Sequence, residues 1–218
     1  AGEEDDGAEI VSYLKEHKIT TVDKLIITHF DSDHIGGAAA LLDYAAVGEV
    51  LIPSYTKGSS TYRRFATAME TAGIQPTALT EKLTFELGRT QDTVYPPARS
   101  SYPNNEDNEY SLIVGITHGE NRFLFAGDAL TERLREFTAL DEGKYDFLKV
   151  SNHGDYFEGV EAFSQAVSPT YAVITCSDKN PADARTVAAL EAVGARVYLT
   201  RNGSVKVTSD GQTISVLQ

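Results

Sequence analysis

The sequence predicts an α+β fold in which helices cover mixed sheets, and three features carry that prediction. The first and last thirds alternate short apolar strands with helical periodicity, the pattern of βαβ units. The middle third and the C-terminus turn instead to antiparallel hairpins. Several strands end in Asp, His or Asn, and strand ends are where layered folds gather their sites. At 218 residues the chain has the length of one well-cored domain, 1–218. Its 41% hydrophobic and 23% charged residues are ordinary for a globular protein.

In chain order, Ala8, Ile10, Val11 and Leu14 are apolar where Glu9, Lys15 and Glu16 are polar, which fits a short amphipathic helix over 8–17. Strand 23–28 and helix 36–46 follow, then the short strand 49–52, ended by Pro53. Tyr62, Phe65, Ala66 and Met69 carry helical spacing over 60–72, with Gly73 as a stop signal. The stretch 83–87 alternates, and a further strand at 93–95 is cut short by Pro96-Pro97. A polar loop, 100–109, leads into the strand 111–116, the turn 118–121 and the returning strand 122–126. Beyond Gly127-Asp128 come a helix over about 130–139 and the strand 147–150. Alternation resumes with helix 158–167, strand 171–175, helix 181–193 and strand 196–200. A hairpin of 204–208 with 213–217 closes the chain.

Composition removes several function classes. No apolar run approaches the roughly 18 residues that span a bilayer. A net charge of −13 argues against nonspecific binding along a nucleic-acid backbone, which needs a basic surface. Lys57, Arg63 and Arg64 form a candidate basic strip that reads as a solvated helix face. The single cysteine, Cys176, excludes an internal disulfide and a cysteine-rich metal cage, and its place after strand 171–175 reads as a buried, inert thiol. His17 ends a surface helix, where a cation suits the dipole, and His118 falls in a polar turn and reads as solvated. The start, Ala1-Gly2-Glu3-Glu4, lacks an initiator Met and a leader and reads as a processed or trimmed end.

The chemistry concentrates in Thr28-His29-Phe30-Asp31-Ser32-Asp33-His34-Ile35-Gly36-Gly37. His29, Asp31, Asp33 and His34 put two imidazoles and two carboxylates within six positions, between a strand and a glycine pair that opens a helix. Like-charged carboxylates repel, and a desolvated carboxylate needs a partner, so the crowding calls for a cation. One divalent ion, or two, is the simplest partner. Three more strand ends carry residues of the same kind: Asp128 follows Phe123-Leu124-Phe125-Ala126-Gly127, His153 follows Leu148-Lys149-Val150-Ser151-Asn152, and Asn108 precedes the strand 111–116. Alone, each has a plainer reading, Asp128 as a helix cap and His153 and Asn108 as turn residues.

The order His-x-Asp-x-Asp-His-Ile-Gly-Gly, Asn-x-x-Ser-Leu-Ile-Val, Phe-Ala-Gly-Asp and His-Gly resembles the metallo-β-lactamase-fold hydrolase superfamily over essentially the whole chain. Two branches are most similar. The hydrolase domain of bacterial DNA-uptake competence proteins matches at Asp31, Asn108–Ser111 and Leu148-Lys149-Val150 through His153-Gly154. The phosphorylcholine esterase of teichoic acids is similar in Ser32-Asp33-His34-Ile35-Gly36 and in Ser168-Pro169.

The resemblance implies a four-layer αββα sandwich and, since only Ala1-Gly2 would remain of a first strand pair ending in Asp-x-Gly, one sheet that is short. It implies two divalent ions, zinc or manganese. One is held by Asp33, His34, Asp128 and His153; the other by His29, Asp31, a bridging Asp128 and the amide oxygen of Asn108, with Asp33 and Asp128 as the catalytic carboxylates. Many relatives have histidine where this chain has Asp31 and Asn108, and the competence branch has a second histidine at Asn152. Harder oxygen donors favour manganese or magnesium, so the second pocket is expected to be weaker and manganese-selective. Two ions about 3.5–4 Å apart clamp a phosphoryl group and activate a water, which leaves no need for a protein nucleophile.

The expected activity is therefore a phosphodiesterase or nuclease-like phosphoesterase acting on a phosphate ester, whether nucleic acid or a cell-wall phosphodiester, and the resemblance favours an extracellular or cell-envelope setting. The rivals are a lactone, thioester or β-lactam hydrolase on the same scaffold, and a domain that binds metal or a partner without turnover. Loop 176–181 is expected to edge the cleft. Lys179 there, and Arg201, read first as surface residues and second as phosphate contacts.

Overall fold

The structure, a computed structural model, describes residues 2–103 and 106–218; Ala1 and the Asn104-Asn105 pair within the polar loop predicted at 100–109 lie outside the described residues. The chain opens with α1 (Gly7–Glu16), β1 (Thr21–Ile26), α2 (Ser32–Ile35), α3 (Ala38–Tyr44), β2 (Ala46–Pro53), α4 (Ser60–Thr71) and β3 (Thr77–Leu79). β1, β2 and β3 form a parallel three-stranded sheet, with Leu25 opposite Val50 and Leu51 opposite Thr77. β4 (Leu83–Leu87), β5 (Thr90–Tyr95), β6 (Ile113–His118) and β7 (Asn121–Phe125) then run as an antiparallel meander. β8 (Phe147–Lys149), β9 (Tyr171–Ile174) and β10 (Arg196–Leu199) extend the same sheet in parallel, giving the order β10-β9-β8-β7-β6-β5-β4. α5 (Thr131–Thr138), α6 (Val160–Val167) and α7 (Ala184–Ala192) are its crossovers. β11 (Lys206–Ser209) and β12 (Ile214–Leu217) form a separate hairpin.

Each helix buries one stripe. α4 is started by Ser59, whose hydroxyl accepts from the Tyr62 N–H at 3.1 Å, and turns Phe65, Ala68 and Met69 inward at helical spacing. α6 does the same with Val160, Phe163, Ser164 and Val167. Three apolar layers result. Phe65, Met69, Leu42 and Ile35 pack on Val50 and Ile52, joining α3 and α4 to the small sheet. Leu51 and Leu79 meet Val94, Leu112 and Val114 between the two sheets. Leu134, Phe137, Phe163 and Leu190 cover the far side of the large sheet over Leu124, Leu148 and Ile174. Helix, sheet, sheet, helix is the αββα sandwich that the resemblance implies. The small sheet has three strands among the described residues, against seven in the large one. The terminal hairpin packs Val207, Ile214 and Val216 on Phe123, Phe147 and Val173 of the large sheet.

Several boundaries differ from the sequence reading. The helix expected at 36–46 is shorter, α3 alone after the glycines, and a separate turn, α2, precedes it inside the histidine–aspartate motif. Residues 46–48 join β2 because Ala46 and Val47 pair with Thr21 and Val22 of β1. β5 begins at Thr90 rather than 93, because Gly88 at φ +62° turns the chain so that Thr90 pairs back with Leu87. β3, three residues long, has no counterpart in the sequence reading.

Candidate metal centre

The motif starts where β1 ends. The Ile27 N–H still donates to the Leu51 carbonyl at 2.9 Å, and the Leu112 N–H donates to the Thr28 carbonyl at 2.8 Å, which ties the two sheets together just before His29. Phe30, fully buried, anchors the loop, with its N–H donating to the Tyr55 hydroxyl at 2.8 Å. The chain then makes the single turn α2, in which the His34 and Ile35 N–H groups donate to the Asp31 carbonyl at 3.0 and 3.1 Å. Gly36 is required by space: a Cβ there would lie 2.4 Å from the Glu4 nitrogen, so only glycine lets residues 3–4 cross α2.

Two more strand ends complete the site. After β7, Gly127 turns at φ +57° with Ser111 and Thr28 close on its bare side, and Asp128 follows, 4% exposed. After β8, Asn152 and His153 are both left-handed, at φ +44° and +51°, an uncommon conformation for two successive residues with side chains.

Asp33, His34, Asp128 and His153 are thereby brought together, one donor atom of each lying within 4.8 Å of the others. Asp128 Oδ2 is 3.2 Å from His34 Nε2 and 3.1 Å from His153 Nε2, and Asp33 Oδ2 is 3.3 Å and 3.0 Å from the same atoms. The His153 Nδ1–H donates to the Thr175 carbonyl at 2.8 Å, which turns Nε2 inward. Hydrogen bonds from His153 and His34 hold the Asp33 carboxyl well below its usual range. Burial alone would push Asp128 up, but its bonds to His153 and His34 and the Lys149 ammonium hold it well below. Bonds to Asp128 and Asp33 push His153 up to about 10. Burial opposes the same effect at His34, but its bonds to Asp128 and Asp33 prevail and raise it.

His29, Asp31 and Asn108 flank this cluster. His29 is fully buried; its Nδ1 lies 3.1 Å from the Thr28 hydroxyl and 3.5 Å from Ser111 Oγ. Its Nε2 has no hydrogen-bond partner among the described residues and lies 3.9 Å from Asp31 Oδ2. Burial, then the neighbouring His34, brings its pKa down to about 4, so the ring is neutral at pH 7. Asn108 donates from Nδ2 to Asn152 Oδ1 at 3.3 Å, and its Oδ1 is likewise buried and unpartnered.

Two lysines belong to the site. Lys149 Nζ donates to Asp128 Oδ1 at 3.2 Å and to the Gly127 carbonyl at 2.9 Å. Lys57 is not on a solvated helix face: it stands in the loop before α4, and its ammonium pairs with Asp31 and, at 2.6 Å, with Asp107. No periodic signal marks either lysine, since each meets its acid across the fold. Ser111, whose hydroxyl accepts from the Asp128 N–H at 3.2 Å, was legible only as part of the Asn-x-x-Ser run. A cleft of about 680 Å³ opens on Asp33 and His153, edged by Ser177, Lys179 and Asn180 of the loop after β9. Arg201 is exposed on a one-turn helix.

Three plainer sequence readings change. His118 is half-buried at the end of β6, its Nδ1 3.0 Å from Ser209 Oγ, because the terminal hairpin covers it. Cys176 is half-buried rather than buried. Among the described residues Asp128 caps no helix; α5 is capped by Glu109, whose carboxylate accepts from the Glu132 and Arg133 N–H groups at 3.0 and 2.7 Å.

Comparison with known proteins places this geometry in a family. Residues 1–177 match the Metallo-beta-lactamase superfamily. Recombination protein 2 of Haemophilus influenzae is 31% identical over 173 residues, 79% of this chain and 20% of that protein. ComE operon protein 3 of Bacillus subtilis is 27% identical over 173 residues, 78% of this chain and 22% of that protein. The chain thus spans about a fifth of the length of these curated relatives. The metallo-beta-lactamase fold protein YhfI from Bacillus subtilis shares the fold, with a TM-score of 0.56 at 12% identity over 90% of this chain and 81% of that one. With its motif on the ends of both sheets of an αββα sandwich, and with the family match running from residue 1 to residue 177, the chain belongs to the metallo-β-lactamase superfamily.

Proposed function

We propose that this metal-dependent hydrolase, with residues 1–218 as one domain, cleaves phosphodiesters through a centre of two divalent ions, zinc or manganese. The observation that carries the reading is the meeting of two carboxylates and two imidazoles from three separate strand ends at 3.0–3.3 Å. Such a set of donors suits a divalent cation. Asp33, His34, Asp128 and His153 hold the first ion. His29, Asp31, Asn108 and the shared Asp128 serve the second, and the unpartnered His29 Nε2 and Asn108 Oδ1 are buried atoms for which a cation is the missing partner.

When bound, the ions supply Lewis acidity toward a phosphoryl oxygen and a water ionised near neutral pH. The chain's own residues fix the donors. The Thr175 carbonyl sets the His153 tautomer, Ser111 fixes the Asp128 backbone, and Asp33 and Asp128 supply the charge that balances the cations. Lys179 at the cleft edge meets an anionic substrate.

Oxygen donors at Asp31 and Asn108 favour phosphate chemistry over the imidazole-rich zinc sites suited to lactones or β-lactams. The Haemophilus relative's name speaks of recombination, which favours a nucleic-acid ester over a cell-wall one. The charge of −13 confines recognition of such a substrate to the cleft. Titration of chelator-treated protein with Mn²⁺ and with Zn²⁺ tests this, with bis-p-nitrophenyl phosphate, a lactone and a β-lactam assayed in parallel. Turnover of the diester is expected. Turnover of the lactone or β-lactam alone supports the other hydrolase, and no turnover with either metal supports a binding domain.

A further inference from the structure

Lys57 stands in the loop between β2 and α4, and its ammonium is held by acids from two other loops, Asp31 of the motif and Asp107 before β6. We infer that Lys57 is the resident cation of the second pocket, so that a second divalent ion gains Asp31 only by displacing or sharing it. This rests on the two-ion reading above and concerns its weaker half.

The two pockets differ in free negative charge. In the first, Asp33 Oδ2 and Asp128 Oδ2 both point at the shared cluster. In the second, the donors without a partner are neutral, His29 Nε2 and Asn108 Oδ1. The carboxylates within its reach are already engaged. Asp31 gives Oδ1 to Lys57 and turns Oδ2 toward His29, 3.9 Å away. Asp128 gives Oδ1, its oxygen outside the cluster, to Lys149. A divalent ion entering beside Asp31 therefore meets an ammonium on the same carboxylate, and like charges one carboxylate apart repel strongly in a half-buried site. Lys57 does not simply float away, since Asp107 holds it in place at 2.6 Å. Ligand hardness decides which ion the pocket prefers, whereas Lys57 decides how tightly any divalent ion is held.

Calorimetric titration of chelator-treated protein with Mn²⁺ reads this without any substrate. Wild type is expected to bind one equivalent tightly and a second weakly. Lys57→Met and Lys57→Gln, each checked for folding by circular dichroism, are expected to tighten the second equivalent by about tenfold or more and leave the first unchanged. Lys57→Arg retains the charge and is expected to behave as wild type, and adding Asp31→Asn to Lys57→Met should remove the gain. A first equivalent that persists with a second no tighter in both neutral variants overturns the role of Lys57 and leaves the metallohydrolase reading standing. Absence of binding in every variant overturns both.

Discussion

Asp128 faces two ways, and the two oxygens of its carboxylate have different work. Oδ2 lies 3.2 Å from His34 and 3.1 Å from His153, while Oδ1 takes the Lys149 ammonium at 3.2 Å. Its backbone N–H is held separately, by Ser111. Truncation to alanine removes both side-chain functions but keeps the backbone bond, and Lys149 keeps the Gly127 carbonyl. Asp128→Ala is therefore expected to lose the first metal equivalent and hydrolysis while its circular dichroism spectrum stays that of the folded protein, with a lowered melt because Lys149, His34 and His153 lose a buried partner. Hydrolysis retained in a folded Asp128→Ala protein would remove Asp128 from the centre.

At the scale of elements, the segment 107–111 organises three parts of the molecule at once. Asp107 anchors Lys57, Asn108 turns toward the site, Glu109 caps α5 and Ser111 holds Asp128. Glu109 is buried, and its carboxylate accepts from two N–H groups of the first turn of α5 that otherwise have no partner. Glu109→Ala should lower stability by about 1–2 kcal/mol, read as a drop in melting temperature, as loss of a helix cap does. An unchanged melt would show that the cap contributes nothing. The same segment shows what a sequence makes legible. The strand after it follows from its apolar run, and Asn108 and Ser111 were visible as a spaced pair, but nothing local announces that Glu109 serves a helix that starts more than 20 residues later. β3 is not legible in the sequence because three residues, Thr77–Leu79, cannot display a period; their strand state comes from pairing with Leu51–Pro53. Lys57 reads as a solvated residue in the sequence for a related reason. A lysine near a helix start is normally solvated, and its two acids come from chain positions 26 and 50 residues away, counted from the numbers of Asp31 and Asp107.

Across the whole molecule, the proposed centre would link metal binding, protonation and folding through the same four residues. Asp33 and Asp128 are held well below the usual carboxylate range and so are ionised throughout moderate pH. They pair with His34 and His153, and His153 rises from 6.5 to about 10. A histidine raised on folding adds stability that is fully present below its unfolded pKa of 6.5 and is lost as pH climbs through about 10. A divalent ion needs the imidazole neutral, so loading at pH 7 must expel close to one full proton from His153 and a further share from His34. Two consequences run in the same direction. Metal affinity should climb with pH from about 7 to about 10, and calorimetry in buffers of different ionisation enthalpy should record proton release that fades at the upper end. Meanwhile the chelator-treated protein loses its His153 contribution over the same range while the loaded protein does not. The melting-temperature gain on adding Mn²⁺ should therefore be larger at about pH 9 than at about pH 6. A gain that stays constant, with no protons released at pH 7, would mean that His153 is already neutral beside Asp33 and Asp128, and that the carboxylate–imidazole cluster does not couple proton and metal.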